Sequence, residues 1–145
     1  MYIEHTSDRA WDRFLAQTEG GSRGLCVTRV FPEWLRYRVG PRKVTILWLS
    51  NVRSHNSVQP TDLTTLEGTV RNALTETQVS AVLFEGLEYL IKVNAFEPTA
   101  RLLHSLHSEA SRREAEVMVP LDPNLIPADD VEKLRHEFPE AKRTS

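Results

Sequence analysis

The chain has 145 residues, 40% hydrophobic and 26% charged, with a formal net charge of −2. That profile predicts one globular domain over residues 1–138 with a polar tail at 139–145, long enough to bury a core without staples. No apolar run approaches the ~18 residues of a membrane span, and the lone Cys26 excludes an internal disulfide framework and fits a reducing, cytoplasmic setting.

In chain order, Met1-Tyr2-Ile3 predicts an edge strand. Ser7 then caps a helix whose Ala10, Trp11, Phe14 and Leu15 share one face, ended by Gly20-Gly21. Leu25-Cys26-Val27 is an unalternating apolar run, the signature of a strand covered on both faces. Pro32 opens a short helix with Trp34, Leu35 and Val39, with Trp34 and Leu35 expected to face the core and its arginines to face water; Gly40-Pro41 stops it. A second strand covers Val44 to Leu49. Thr61 or Thr64 starts the next helix, and Thr64 with Glu67 has capping-box spacing. Ala81 to Phe84 is a third strand, followed after Gly86 by a helical region broken near Asn94 and resumed through Ala100, Leu103, Leu106 and Ala110, with Pro98 in its first turn. Val117 to Leu121 is the fourth strand, and Val131, Leu134 and Phe138 mark a terminal helix. Strands alternating with helices predict a three-layer α/β sandwich, a mainly parallel sheet of four or five strands flanked by helices.

Ligands of open α/β sheets bind beyond the carboxyl ends of the strands. The predicted strands deliver Thr28 and Arg29, Ser50 and Asn51, Glu85 with Glu88, and Asp122 to that rim, while Thr61 and Asp62 lie in a loop entering a helix. Carboxylates and hydroxyls there suit a divalent cation with a small anionic ligand. The competing reading makes Asp62 and Asp122 cap and turn residues, and has Glu85 bonding backbone amides.

Other chemistries find less support. Neither a Walker A loop nor a G-x-G-x-x-G occurs, and Gly20-Gly21-Ser22-Arg23-Gly24 precedes a strand instead of opening a helix. Cys26 sits in an apolar run, and no serine stands in a G-x-S-x-G elbow. His104 and His107 share a helix face without a metal motif, which favours packing. No metal or cofactor is expected. One basic, aromatic-bearing stretch stands out: Arg29, Arg36, Arg38, Arg42 and Lys43 gather around Trp34 and Tyr37. Residues 1–43 hold eight Lys/Arg against five Asp/Glu, and the remaining 102 hold ten against fifteen. This local excess suits an acidic partner surface better than nucleic acid, for which a wider basic stripe and a stacking platform are wanting.

Gly24-Leu25-Cys26-Val27-Thr28-Arg29, Leu47-Trp48-Leu49-Ser50, Pro60-Thr61-Asp62-Leu63, Ala81 through Ile91 with Asn94 and Phe96, and Val119-Pro120-Leu121-Asp122-Pro123 together resemble the domain-of-unknown-function 835 family over nearly the whole chain. That family resembles in turn a RecA-like ATPase core of the KaiC type that has lost its phosphate loop. The resemblance puts the third strand in the place of the Walker B strand. Glu85 stands where the family usually carries Asp before the glycine. Relatives joined to sensory domains imply regulatory or signalling work, and RecA-like assembly implies a homodimer. The resulting expectation is a non-enzymatic signalling domain that binds a protein partner, with a weakly catalytic or dead nucleotide–Mg²⁺ site at the rim as the alternative.

Overall fold

The computed structural model describes residues 1–143. Among the described residues, seven strands form one sheet in the order β4-β3-β2-β5-β6-β1-β7: β1 (Tyr2–Glu4), β2 (Gly24–Thr28), β3 (Val44–Leu49), β4 (Ser57–Val58), β5 (Ala81–Phe84), β6 (Glu116–Pro120) and β7 (Lys142–Arg143). Every adjacent pair is parallel. The helices are α1 (Ser7–Gln17), α2 (Pro32–Val39), α3 (Leu63–Glu76), α4 (Leu87–Asn94), α5 (Phe96–Arg112) and α6 (Ala128–Glu137).

Two apolar clusters, one on each face of the sheet, make this a three-layer α/β sandwich. Trp11 and Phe14 of α1 and Leu35 and Val39 of α2 pack with Cys26, Leu83 and Met118 on one face. The side chains that alternate with these, Leu25, Val27, Val82, Phe84, Val117 and Val119, meet α3, α4, α5 and α6 on the other. Burial on both faces explains why β2 and β5 read as unbroken apolar runs. Gly24 starts β2 beneath the end of α1, where a Cβ would come within 2.6 Å of the Thr18 methyl and 2.8 Å of the Phe14 ring.

Several expectations are corrected. The sheet has seven strands because β4 and β7, two residues each, extend it beyond the apolar runs. β1 is not an edge, since it lies between β6 and β7. Residues 142–143 of the expected tail form β7, with Ala141 buried ahead of it; residues 144 and 145 of that tail lie outside the described residues. Thr6, not Ser7, caps α1, its hydroxyl accepting the Arg9 N–H, and α1 already ends at Gln17 before a 3₁₀ turn over Glu19–Gly21. Asp62 caps α3, in place of Thr61 or a Thr64–Glu67 capping box. Trp34 is 76% exposed, so only Leu35 of that adjacent pair faces the core. Successive helical residues turn about 100°, and the Leu35/Val39 stripe leaves Trp34 outside it.

Candidate functional site

β2 and β5 run side by side with Val27 opposite Phe84, so Thr28 and Glu85 emerge together at the carboxyl rim. The Thr28 hydroxyl, fully buried, donates to Glu85 Oε1 at 2.9 Å and accepts the Val30 N–H at 3.0 Å. Glu85 Oε2 accepts the Ser7 hydroxyl at 2.8 Å and the Trp11 indole N–H at 3.2 Å. Its partners are therefore side chains of α1 and β2, not the backbone amides expected. Gly86 then takes φ 91°, a left-handed turn that aims the chain into α4.

The remaining rim acids are also engaged locally. Glu88, in the first turn of α4, accepts the Asp122 N–H at 3.2 Å and so ties α4 to the end of β6. Asp122 Oδ1 accepts the Asn124 N–H at 2.9 Å and caps a 3₁₀ turn. Asp62 takes both the hydroxyl and the N–H of Thr65, which hold its carboxyl below the usual range. Asp62 and Asp122 are thus the cap and turn residues of the competing reading. Among the described residues, no three His, Cys, Asp or Glu side chains gather to hold a metal ion.

Arg29 divides the rim into two hollows. Its guanidinium lies over the Tyr89 ring, 3.5 Å from the centroid, and its carbonyl accepts the Trp48 indole N–H at 3.3 Å. On one side, Thr28, Arg29, Glu85, Glu88 and Lys92 line a hollow of about 410 Å³. On the other, Arg29, Trp48, Ser50 and Asn51 line a second, also about 410 Å³. Ser50 turns its hydroxyl to the Val52 N–H at 3.0 Å. Thr61, Asp62 and Asp122 line neither hollow.

The basic stretch spreads over α2 and its flanks. Arg36 pairs with Glu33 at 2.9 Å, Arg38 with Asp8 at 3.1 Å, and Arg42 with Glu19 at 2.9 Å. Arg38 also covers the Trp11 ring at 4.6 Å, and Lys43 is exposed. Beside Arg36 and Arg38 stands an aromatic surface larger than the sequence suggested, while Arg42 and Lys43 lie at the amino end of the sheet beside Glu19 and Gly20. Tyr37 is 98% exposed, and Phe31, 41% exposed, packs edge-on against Trp34 at 6.2 Å and Trp48 at 5.2 Å. The signal was available: Trp34 and Tyr37 sit three apart, off the Leu35/Val39 stripe.

Glu4 was missed altogether. At the end of β1 it is 1% exposed, pairs with Arg13 at 2.9 Å, and leaves Oε2 without a hydrogen-bond partner among the described residues. His104 and His107 do pack: His104 stacks on Phe138 at 4.2 Å and His107 meets the same ring edge-on at 6.3 Å. Burial raises the Cys26 thiol well above its ordinary pKa, with the Glu85 charge adding to the effect and Arg38 opposing it. That thiol is packing, not a nucleophile.

No curated protein matches the chain. The model of a family described as a protein of unknown function, DUF835, matches residues 3–138, and the chain belongs to that family.

Proposed function

We propose that the chain is a regulatory protein-interaction domain, and that the outward face of α2 is its docking surface. The exposure of Trp34 and Tyr37 carries this reading. Large aromatics left in water beside arginines form the composition that concentrates binding energy at interfaces. Here Trp34 and Tyr37 share α2 with Arg36 and Arg38, and Phe31 stands just before it. The rim supports the same view, since Glu85, Glu88, Asp62 and Asp122 all accept bonds within the fold. The two-residue His5-Thr6 link from β1 to α1 also leaves no glycine loop to wrap a phosphate.

Photo-crosslinking in the native cell tests this. A benzophenone amino acid at position 37 is expected to give one dominant protein adduct. The same group at exposed Arg101 of α5 should give none, and Trp34→Ala should abolish the adduct at 37. No adduct at 37, or an equal one at 101, overturns the reading.

A second reading rests on the exposed Arg29 guanidinium between the two rim hollows, which offers a cation to a small anionic ligand. A thermal-shift screen of nucleotides with Mg²⁺ addresses it. A ligand at 100 times its Kd stabilises by about 2.7 kcal/mol, and no shift with any nucleotide removes the nucleotide version.

A further inference from the structure

The sheet is left open along one edge. β4 pairs only with Trp48 and Leu49, so the first four residues of β3, Val44 to Leu47, have a neighbour on the β2 side alone. The hydrogen bonds fix which backbone groups are left over. Trp48 and Ser50 send their N–H groups outward, to Asn56 and Val58 at 2.8 and 3.0 Å. Gly24 donates to Lys43 at 3.0 Å, which sets the inward register with β2 on Lys43, Thr45 and Leu47. By the two-residue alternation, the N–H and C=O of Ile46 and the C=O of Val44 point out from the edge, and no described strand faces them.

Beside these groups runs a groove of about 600 Å³, lined by α2 on one side and by His55, Asn56 and Thr69 as well. Its apolar floor comes from Val39, Val44 and Ile46. Its charged side chains are Arg36, which pairs with the exposed Glu33, and Arg42, held by Glu19 and the Leu15 and Val39 carbonyls, with His55 titratable; no carboxylate lines it. An open edge with unpaired main-chain groups is a template for a further strand.

We infer that this slot takes an extended, acidic peptide segment of a partner protein, added to the sheet beside β3 in line with β4. The segment pairs its backbone with Val44 and Ile46 over roughly 13 Å, sets alternate apolar side chains against Val39, Val44 and Ile46, and turns a carboxylate to Arg36, which exchanges the exposed Glu33 for it. A second copy of this chain is the poorer occupant, because two such edges related by a two-fold axis would set Arg36 and Arg42 against themselves. The inference rests on the interaction-domain reading and specifies the partner's chemistry.

Selection of phage-displayed random nine-residue peptides on the full chain tests it. Enriched sequences are expected to alternate apolar residues with Asp or Glu. A synthetic copy of the most enriched peptide should lose at least tenfold in affinity when its acids become lysines, and at least fivefold against Arg36→Glu. Its binding should slow hydrogen exchange of the Ile46 amide. Ile46→Pro removes the outward N–H while sparing the ladder to β2, and should abolish binding. If that variant loses its fold by circular dichroism, Arg36→Glu and the Ile46 exchange rate decide. Enrichment without acidic alternation, affinity indifferent to Arg36→Glu, or an unchanged Ile46 exchange rate overturns the inference. An adduct at position 37 that survives such a result keeps the interaction-domain reading and removes only the slot; loss of both removes both.

Discussion

The hydroxyl of Ser7, at the start of α1, donates to the carboxylate of Glu85, at the end of β5, across 2.8 Å and 78 positions of sequence. Trp11 and Thr28 converge on the same carboxylate, at 3.2 and 2.9 Å. Glu85 is therefore a bracket between α1, β2 and β5. Glu85→Ala leaves two buried donors without acceptors, and urea unfolding should show a loss of about 2–4 kcal/mol. Glu85→Gln keeps one oxygen acceptor and should lose about half as much. Equal, negligible losses in both variants would argue that Glu85 is free for a ligand.

Gly86 follows that bracket with φ 91°, and a Cβ there would lie 3.3 Å from Leu49 Cδ1. Gly86→Ala should cost about 1–3 kcal/mol, mostly backbone strain. Gly68, exposed within α3 with no atom near a prospective Cβ, gives the opposite sign. Gly68→Ala should stabilise by roughly 0.5–1 kcal/mol through helix propensity. Urea midpoints of the two variants on one plot check both signs.

The legible parts of this fold are those whose information is local. β2 and β5 announce themselves because strands buried on both faces carry unbroken apolar runs, and β3 and β6 through their Val, Ile and Leu content although Thr45 is exposed and Glu116 half-buried. β4 and β7 could not be read, since two-residue strands such as Ser57–Val58 exist only through the neighbour they pair with. Ser7, Trp11 and Thr28 meet Glu85 from 57 to 78 positions away, and no periodicity encodes that meeting. Residue type did give the roles of Asp62 and Asp122, because cap bonds close within three residues. Trp34 misled through its bulk, although its phase relative to Leu35 and Val39 places it in water.

Trp34 and Tyr37 contribute contact area to a partner and little to the fold, being 76% and 98% exposed. Trp34→Ala and Tyr37→Ala should each leave unfolding free energy within about 0.5 kcal/mol of the parent. The same variants should lose the crosslinked partner. Thermal melts beside the crosslinking blot separate the two effects; a large loss of stability would assign these rings to the fold.

Cys26 lies fully buried in β2, and burial with the nearby Glu85 charge raises its thiol pKa well above the ordinary value. The thiolate that alkylating agents need is scarce and inaccessible in the native chain. Iodoacetamide at pH 8 should modify Cys26 only as fast as the protein opens globally, and completely in urea. Mass spectrometry against time gives the rate. Rapid labelling without denaturant would show local opening at β2.

His107 sits where α5 meets Phe138, and burial lowers its pKa first, aided by the N-terminal ammonium, with Glu140 opposing and His104 adding a smaller lowering. A folded pKa below the unfolded value of about 6.5 means that the unfolded chain binds the proton more readily. The His107 contribution to stability is therefore constant above that pH. It declines as pH falls through about 6.5 toward the lower folded value, where the penalty for protonating the packed ring is complete. Unfolding free energy measured from pH 7.5 down to 5 should fall more steeply for the parent than for His107→Gln, which keeps a polar side chain without the titration. Parallel curves would mean that the ring at 107 carries its proton as easily in the fold as outside it.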